Sequence, residues 1–417
     1  MKFIGPRKTF GKILEEHDGA GPGFDLLRLS LAIAILMSHV VAVGETRGFF
    51  PELMQMFLHL LGHAQSHASG ASAVATADQV NSLRIPFGRP FAVSHVPMFF
   101  ALSGFLVAGS ALRTKRLFPF LALRFFRIFP ALCVEVVLSA VVIGGIFSTL
   151  PFEKYYSSQG FLTYFGNIVG IVQMELPGVL FSSGDPVAVN ANLWTLPSEF
   201  HSYLALALLM VTGIAFKRGI FTSLFVVVTA ALLVSNIFFD YNAKPFILAG
   251  DINVYYFYVG AIFYVWRDRI PYAFWLFIPC VVCTYLLMFS THAVYLVPIM
   301  LTYVTVFLGL TAFPTNRLLR SGDYSYGIYL YGFPITQVLA SSFPALRHNY
   351  LGLVFSAILG TSLFAMLSWH LIEKRFLRLR KYFSPKSAKI AEELHPEPVN
   401  LLFRRFFLRF RSGEKRT

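Results

Sequence analysis

Residues Phe24–Val43 read FDLLRLSLAIAILMSHVVAV, an apolar run whose ionisable side chains are Asp25, Arg28 and His39. At 1.5 Å per residue such a run reaches about 30 Å, the thickness of a bilayer's hydrocarbon core. Upstream lie Lys2, Arg7, Lys8 and Lys12, followed by the acids Glu15, Glu16 and Asp18. A secretory signal has a shorter apolar core and a small-residue cleavage site, so an uncleaved first membrane helix is predicted. Downstream, runs of spanning length fall near 93–112, 129–147, 194–215, 220–238, 252–266, 272–289, 293–313, 324–342 and 351–372. The stretch 161–182 is apolar but broken by Asn167, Glu175 and Pro177, which predicts a re-entrant or interfacial segment. The expected fold is an all-α integral membrane protein of about ten transmembrane helices.

Composition agrees. The 417 residues are 56% hydrophobic and 13% charged, with a mean hydropathy of +0.63; an ordinary soluble protein is about 25% charged. The 45 Phe and 19 Tyr suit helices that meet lipid and its interfaces. A net charge of +14 would suit nucleic acid on a soluble fold. Here, however, Lys and Arg collect between apolar runs and in the tail, so the expected partner is membrane lipid and no nucleic acid.

One set of alternate connections holds Arg113, Lys115, Arg116, Arg124 and Arg127, then Lys217, Arg218, Arg267, Arg269, Arg317 and Arg320. The opposite set holds Arg47, Arg84, Arg89, Lys154, Lys244 and Arg347, mostly spread over longer loops. This asymmetry puts both termini in the cytoplasm, and counting 161–182 as a span would spoil it. The chain divides into a cytoplasmic segment 1–23, a transmembrane domain 24–373 and a tail 374–417. The tail's Leu401–Arg411 stretch is basic and aromatic, as in an amphipathic helix lying on the cytoplasmic leaflet.

Two patterns imitate metal or redox sites. Cys280-Val-Val-Cys283 has the spacing, but it lies inside an apolar run with no second pair or His, so the thiols are read as small packing residues. His59, His63 and His67 recur every four residues without an acid or Cys to complete a shell, and are read as a solvated helix edge. No metal is expected.

Ionisable residues within spans mark function. Arg28 and His39 are separated by about 16 Å along a helix axis and about 20° around it, so they share one face. His is the side chain suited to proton abstraction near neutral pH. Arg124 and Arg127, at i and i+3, also share a face, and could clamp phosphates or simply serve as the topology signal. Glu199 opens the fourth run from the far side, four residues before Tyr203.

These residues sit in motifs. Phe24-Asp-Leu-Leu-Arg28 leading to His39, Phe99-Phe-Ala-Leu-Ser103-Gly104-Phe-Leu106, and Arg124-Phe-Phe-Arg127-Ile-Phe-Pro130 come first. Leu193-Trp-Thr-Leu-Pro-Ser-Glu199, Ser325-Tyr-Gly-Ile-Tyr-Leu-Tyr331 and Ile372-Glu373-Lys374 follow. Six elements in this order, from Phe24 to Lys374, resemble the membrane acyltransferase-3 family. Two departures stand out: many members have His where Gly332 follows Tyr331, and many have Pro where Arg375 follows Lys374.

The resemblance implies ten helices, an acyl-CoA donor (acetyl-CoA foremost) at the cytoplasmic face, and a hydroxyl acceptor on a glycan or lipid-linked saccharide beyond it. It also implies residence in a bacterial inner membrane. The expected site has Arg124 and Arg127 on the CoA phosphates and Arg28 helping to place the donor. His39 is the base for the acceptor hydroxyl or a transient acyl carrier, and Glu199 orients His39 or the acceptor. Ser103 is an alternative carrier, although a Ser-Gly step also serves helix packing. A transporter or flippase of glycan-lipids, using the same polar residues as a path, is the competing class.

Overall fold

The computed structural model of the protein describes residues 8–19, 21–44, 72–181, 187–239, 250–288, 295–314 and 322–379. His59, His63 and His67 lie outside them, as do Leu401–Arg411, Arg317 and Arg320.

The described residues are helical almost throughout, as their apolar runs require. A short α1 (Phe10–Glu16) precedes α2 (Phe24–Val43), α3 (Ser72–Thr114) and α4 (Leu117–Val137). Then come α5 (Leu196–Val211), α6 (Arg218–Phe239), α7 (Gly250–Val265) and α8 (Phe274–Leu287). The last three are α9 (Val297–Leu310), α10 (Ser325–Ser342) and α11 (Tyr350–Ser368). A helix thus occupies each of the ten expected ranges. Five are long and apolar enough to cross a bilayer unaided: Phe24–Val43, Val93–Thr114, Leu117–Phe147, Arg218–Ser235 and Tyr350–Leu377. Three more are apolar but shorter.

The helices are clad in exposed apolar side chains. Leu208, Val227, Phe355 and Ile146 are 63%, 65%, 71% and 70% exposed. Water would penalise such a belt, whereas lipid tails accept it. The polar residues instead turn inward, so the protein is a membrane protein.

Two expected boundaries need correction. The third run begins at Leu117 rather than 129, so Arg124 and Arg127 stand on α4 itself instead of in a connection. Pro130 lies inside that helix rather than at its start. Hydropathy misplaced the boundary because it scores an Arg as an interruption, even when its side chain faces a polar interior. The second run is the end of a helix that extends back to Ser72. The 161–182 stretch forms no spanning helix: Gln159–Tyr164 and a 3-10 turn Phe165–Val169 lead into irregular chain. Asn167 holds that chain by donating to the carbonyls of Tyr164 and Gln173.

Close helix contacts rest on missing side chains. A Cβ on Gly104 would strike the backbone of Phe257, and one on Gly260 the backbone of Ala101, so α3 and α7 meet through reciprocal glycines. The N-terminal segment docks on the turn after α7: Phe10 N–H donates to Ile270 and Tyr272 N–H donates to Lys8. Phe10 is fully buried there, its ring tilted against Tyr303 with centroids 5.3 Å apart.

Candidate active site

One cavity of about 600 Å³ runs through the bundle. Its wall on α3 extends from Val96 to Arg113, about 25 Å at helical rise, and on α2 from Asp25 to Ile35. Of the expected residues it gathers Arg28, Arg124, Arg127 and Glu199, with Ser103 also on its wall.

The arginines converge from two helices onto one carboxylate. Arg28 Nη2 and Arg127 Nη2 lie 2.8 and 2.7 Å from Oδ2 of Asp323, in the turn before α10. Burial pushes the Asp323 carboxyl up, but Arg127 and Arg28, helped by Ser325, hold it well below the usual carboxylate range. Asp25, three residues before Arg28 on α2, is farther away at 3.9 Å. Arg127 also approaches Glu373 at 4.0 Å and lies 5.6 Å from the ring centre of Tyr326. Arg124 donates to Ser110 at 3.1 Å, and Arg113 to the Tyr264 hydroxyl at 3.3 Å. Several guanidinium groups therefore line one cavity together.

Glu199 lies deeper. Its Oε1 accepts the Tyr203 hydroxyl at 2.6 Å, and Tyr203 is in turn 3.5 Å from Ser103 Oγ. The partner of Glu199 is thus Tyr203; no bond joins Glu199 to His39 among the described residues. Beyond Glu199, residues 188–195 are stitched to α10. Pro334 cannot donate to the Leu330 carbonyl four residues earlier, and Asn190 Nδ2 fills that place at 3.1 Å. Asn192 Nδ2 bonds the Tyr329 carbonyl, and Thr195 and Tyr329 share their hydroxyls at 2.7 Å. The carbonyl that Pro334 leaves free in α10 therefore helps hold the segment that leads to Glu199.

His39 stands apart from the cavity wall. It lies one turn beyond Ile35 on the same face of α2, its ring edge-on to Phe333 at 5.1 Å. Its Nδ1 is buried without a hydrogen-bond partner among the described residues. Phe333 likewise lies one turn beyond Tyr329 on α10, so the two rings meet just past the residues that line the cavity.

Sequence reasoning missed Asp323, Tyr203 as a partner, and the buried acid Glu135. Glu135 accepts from Ser139 at 2.6 Å and from Asn190 at 2.7 Å. Glu135 carried a readable signal, an acid inside an apolar run. Asp323, in a loop, carried none. The three cysteines are free, and no group of three His, Cys, Asp or Glu among the described residues is arranged to hold a metal.

Comparison with known proteins identifies the family. The chain is 27% identical over 293 residues to an O-acetyl transferase of Shigella phage Sf6, covering 68% of this chain and 84% of that one. It is also 27% identical over 405 residues to nodulation protein 10 of Rhizobium leguminosarum bv. viciae, covering 90% of this chain and 99% of the relative. No solved structure matches. The acyltransferase domain of the acyltransferase-3 family matches residues 22–370, which sets the transporter reading aside. With the match extending over most of the chain, the protein belongs to the acyltransferase-3 family and is an acyltransferase acting on groups other than aminoacyl groups.

Proposed function

We propose that the protein moves an acyl group, most simply acetyl, from cytoplasmic acyl-CoA to a hydroxyl of an extracytoplasmic or lipid-linked glycan, from within a bacterial inner membrane. The observation that carries this reading is the single cavity with an arginine cluster at one end and Glu199 deeper in its wall. The arginine end suits the phosphates of CoA, and the depth of the cavity leads toward His39. The name of the phage relative supports an acetyl group and an oxygen acceptor.

In this scheme Arg124 and Arg127 hold the CoA phosphates by charge-assisted hydrogen bonds, and Arg28 fixes the donor beside them. His39, just past the far end of the cavity wall, takes the proton of the incoming hydroxyl. Glu199, tied to Tyr203, orients the acceptor from the side. Ten crossings with both termini in the cytoplasm put the arginines where CoA is made. The docking of residues 8–11 against 267–272 supports this topology, because it puts the N-terminal basic residues on the side of Arg267 and Arg269. The domain 24–373 then carries the reaction, and the basic tail 374–417 lies along the cytoplasmic leaflet.

The test is mass spectrometry of surface polysaccharide from cells with and without the gene. Base-labile acyl groups are expected to vanish on deletion and return with the wild-type gene. Unchanged acylation in the deletion strain would refute the proposal.

A further inference from the structure

Several hydroxyls on these helices are spent on their own backbone. Ser38, Ser202, Thr305 and Thr336 each donate to the carbonyl four residues earlier, at 2.7–3.0 Å. This is the usual way for a helix in lipid to satisfy a Ser or Thr. Ser103 does otherwise. Its Oγ faces the cavity and pairs with the hydroxyl of Tyr203 on α5, a hundred residues away.

The direction of this chain follows from its last member. Tyr203 gives its proton to Glu199 at 2.6 Å, so the oxygen it offers Ser103 is an acceptor. Ser103 must then be the donor, with its proton aimed at Tyr203 and its lone pairs open to the cavity. An activated serine needs that polarity. The separation of 3.5 Å is long, as hydrogen bonds between catalytic groups commonly are before substrate tightens them. The neighbouring Gly104 holds this part of α3 against the backbone of Phe257, which limits how far Ser103 can move.

We infer that Ser103 carries the acyl group between donor and acceptor, with Tyr203 and Glu199 as the relay that takes its proton. The inference rests on the acyltransfer reading above and deepens it. Ser103 Oγ attacks the thioester carbon, its proton passing to Tyr203 as Tyr203 passes its own to Glu199. The carbon–sulfur bond breaks, and the CoA thiolate leaves with the proton that Glu199 releases. The acceptor hydroxyl then attacks the serine ester and surrenders its proton to His39. That proton returns to Ser103 Oγ as the ester breaks. Ser103 is thus a catalytic residue and Tyr203 a positioning residue acting through it.

The experiment uses the full-length protein in detergent with acetyl-CoA and no acceptor, quenched in acid and read by peptide mass spectrometry. Wild type is expected to release CoA in a burst of about one equivalent and to show an acetyl adduct on the peptide bearing Ser103. Ser103→Ala, still binding CoA and still folded by thermal unfolding, loses both. Ser103→Cys keeps the adduct as a thioester. Tyr203→Phe slows adduct formation by about 10- to 100-fold with CoA affinity unchanged, a split that a merely structural role would not produce. A Ser103→Ala protein that acetylates glycan at the wild-type rate, or a wild-type adduct on His39, overturns the inference while leaving the proposed function standing. A wild type that neither releases CoA nor acylates glycan overturns both.

Discussion

Arg28 and Arg127, ninety-nine positions apart in the chain, meet on the same oxygen of Asp323 at 2.8 and 2.7 Å. Two guanidinium groups that would repel each other are thereby held side by side at the cavity's mouth, aimed and charged. The arrangement gives a cationic cluster in lipid a counter-charge from the protein itself.

Asp323→Asn is expected to cost about 2–3 kcal/mol, because it leaves two partly buried cations only the longer approaches to Asp25 and Glu373. The folded-state pKa of Asp323 is depressed. Its stabilisation is therefore present above the unfolded carboxylate value, near 4, and is lost as pH falls through the lower folded value. The difference in unfolding temperature between wild type and Asp323→Asn should stay constant from pH 7 to about 5 and shrink only under more acidic conditions.

Arg124→Gln is expected to weaken acetyl-CoA binding about tenfold or more, the worth of one charge-assisted hydrogen bond. Calorimetric titration of the detergent-solubilised protein measures this. Added salt should narrow the gap between variant and wild type, since phosphate contacts are screened. Wild-type affinity in Arg124→Gln would remove Arg124 from the donor site.

Gly332 occupies the position where many family members carry His. A Cβ there would meet Leu36 Cδ1 at 3.0 Å, so a His at this position would press on the Leu36 side chain of α2. Gly332→His should destabilise by about 1–3 kcal/mol through overpacking. Leu36→Ala in the same protein should recover part of the loss, as read by thermal unfolding of the single and double variants.

Gly104→Ala tests the α3–α7 contact. The added methyl group would run into the Phe257 backbone, and backbone cannot rotate aside as a side chain does. A loss of about 2–4 kcal/mol is expected, with poor yield of folded protein from membranes. Substitution of the outward-facing Leu208, which meets lipid, by Ala should cost far less.

Much of this was legible in the sequence. The first helix is an uninterrupted apolar run, and its observed bounds, Phe24–Val43, match the reading. Arg28 and Glu199 stood out because charges inside lipid need a reason, and Arg124 and Arg127 as a basic pair on one helical face; the cavity unites all four. Less visible was anything that depends on pairing across the bundle. Asp323 sits in a polar turn where an acid is unremarkable, and only the fold brings it to Arg28 and Arg127. Tyr203 is one of many tyrosines until α5 turns it toward Ser103. The start of α4 was misplaced because its arginines interrupt the hydropathy while continuing the helix. His39 was read as sharing a face with Arg28, yet sequence could not show that the cavity wall stops one turn short of it, where its ring meets Phe333 edge-on.

The most direct measurement reconstitutes the protein in liposomes with radiolabelled acetyl-CoA on the arginine side and a glycan acceptor on the other. Label is expected on the glycan with wild type. With His39→Ala it should be absent, even though that variant still binds acetyl-CoA. Equal labelling by both proteins would contradict the account.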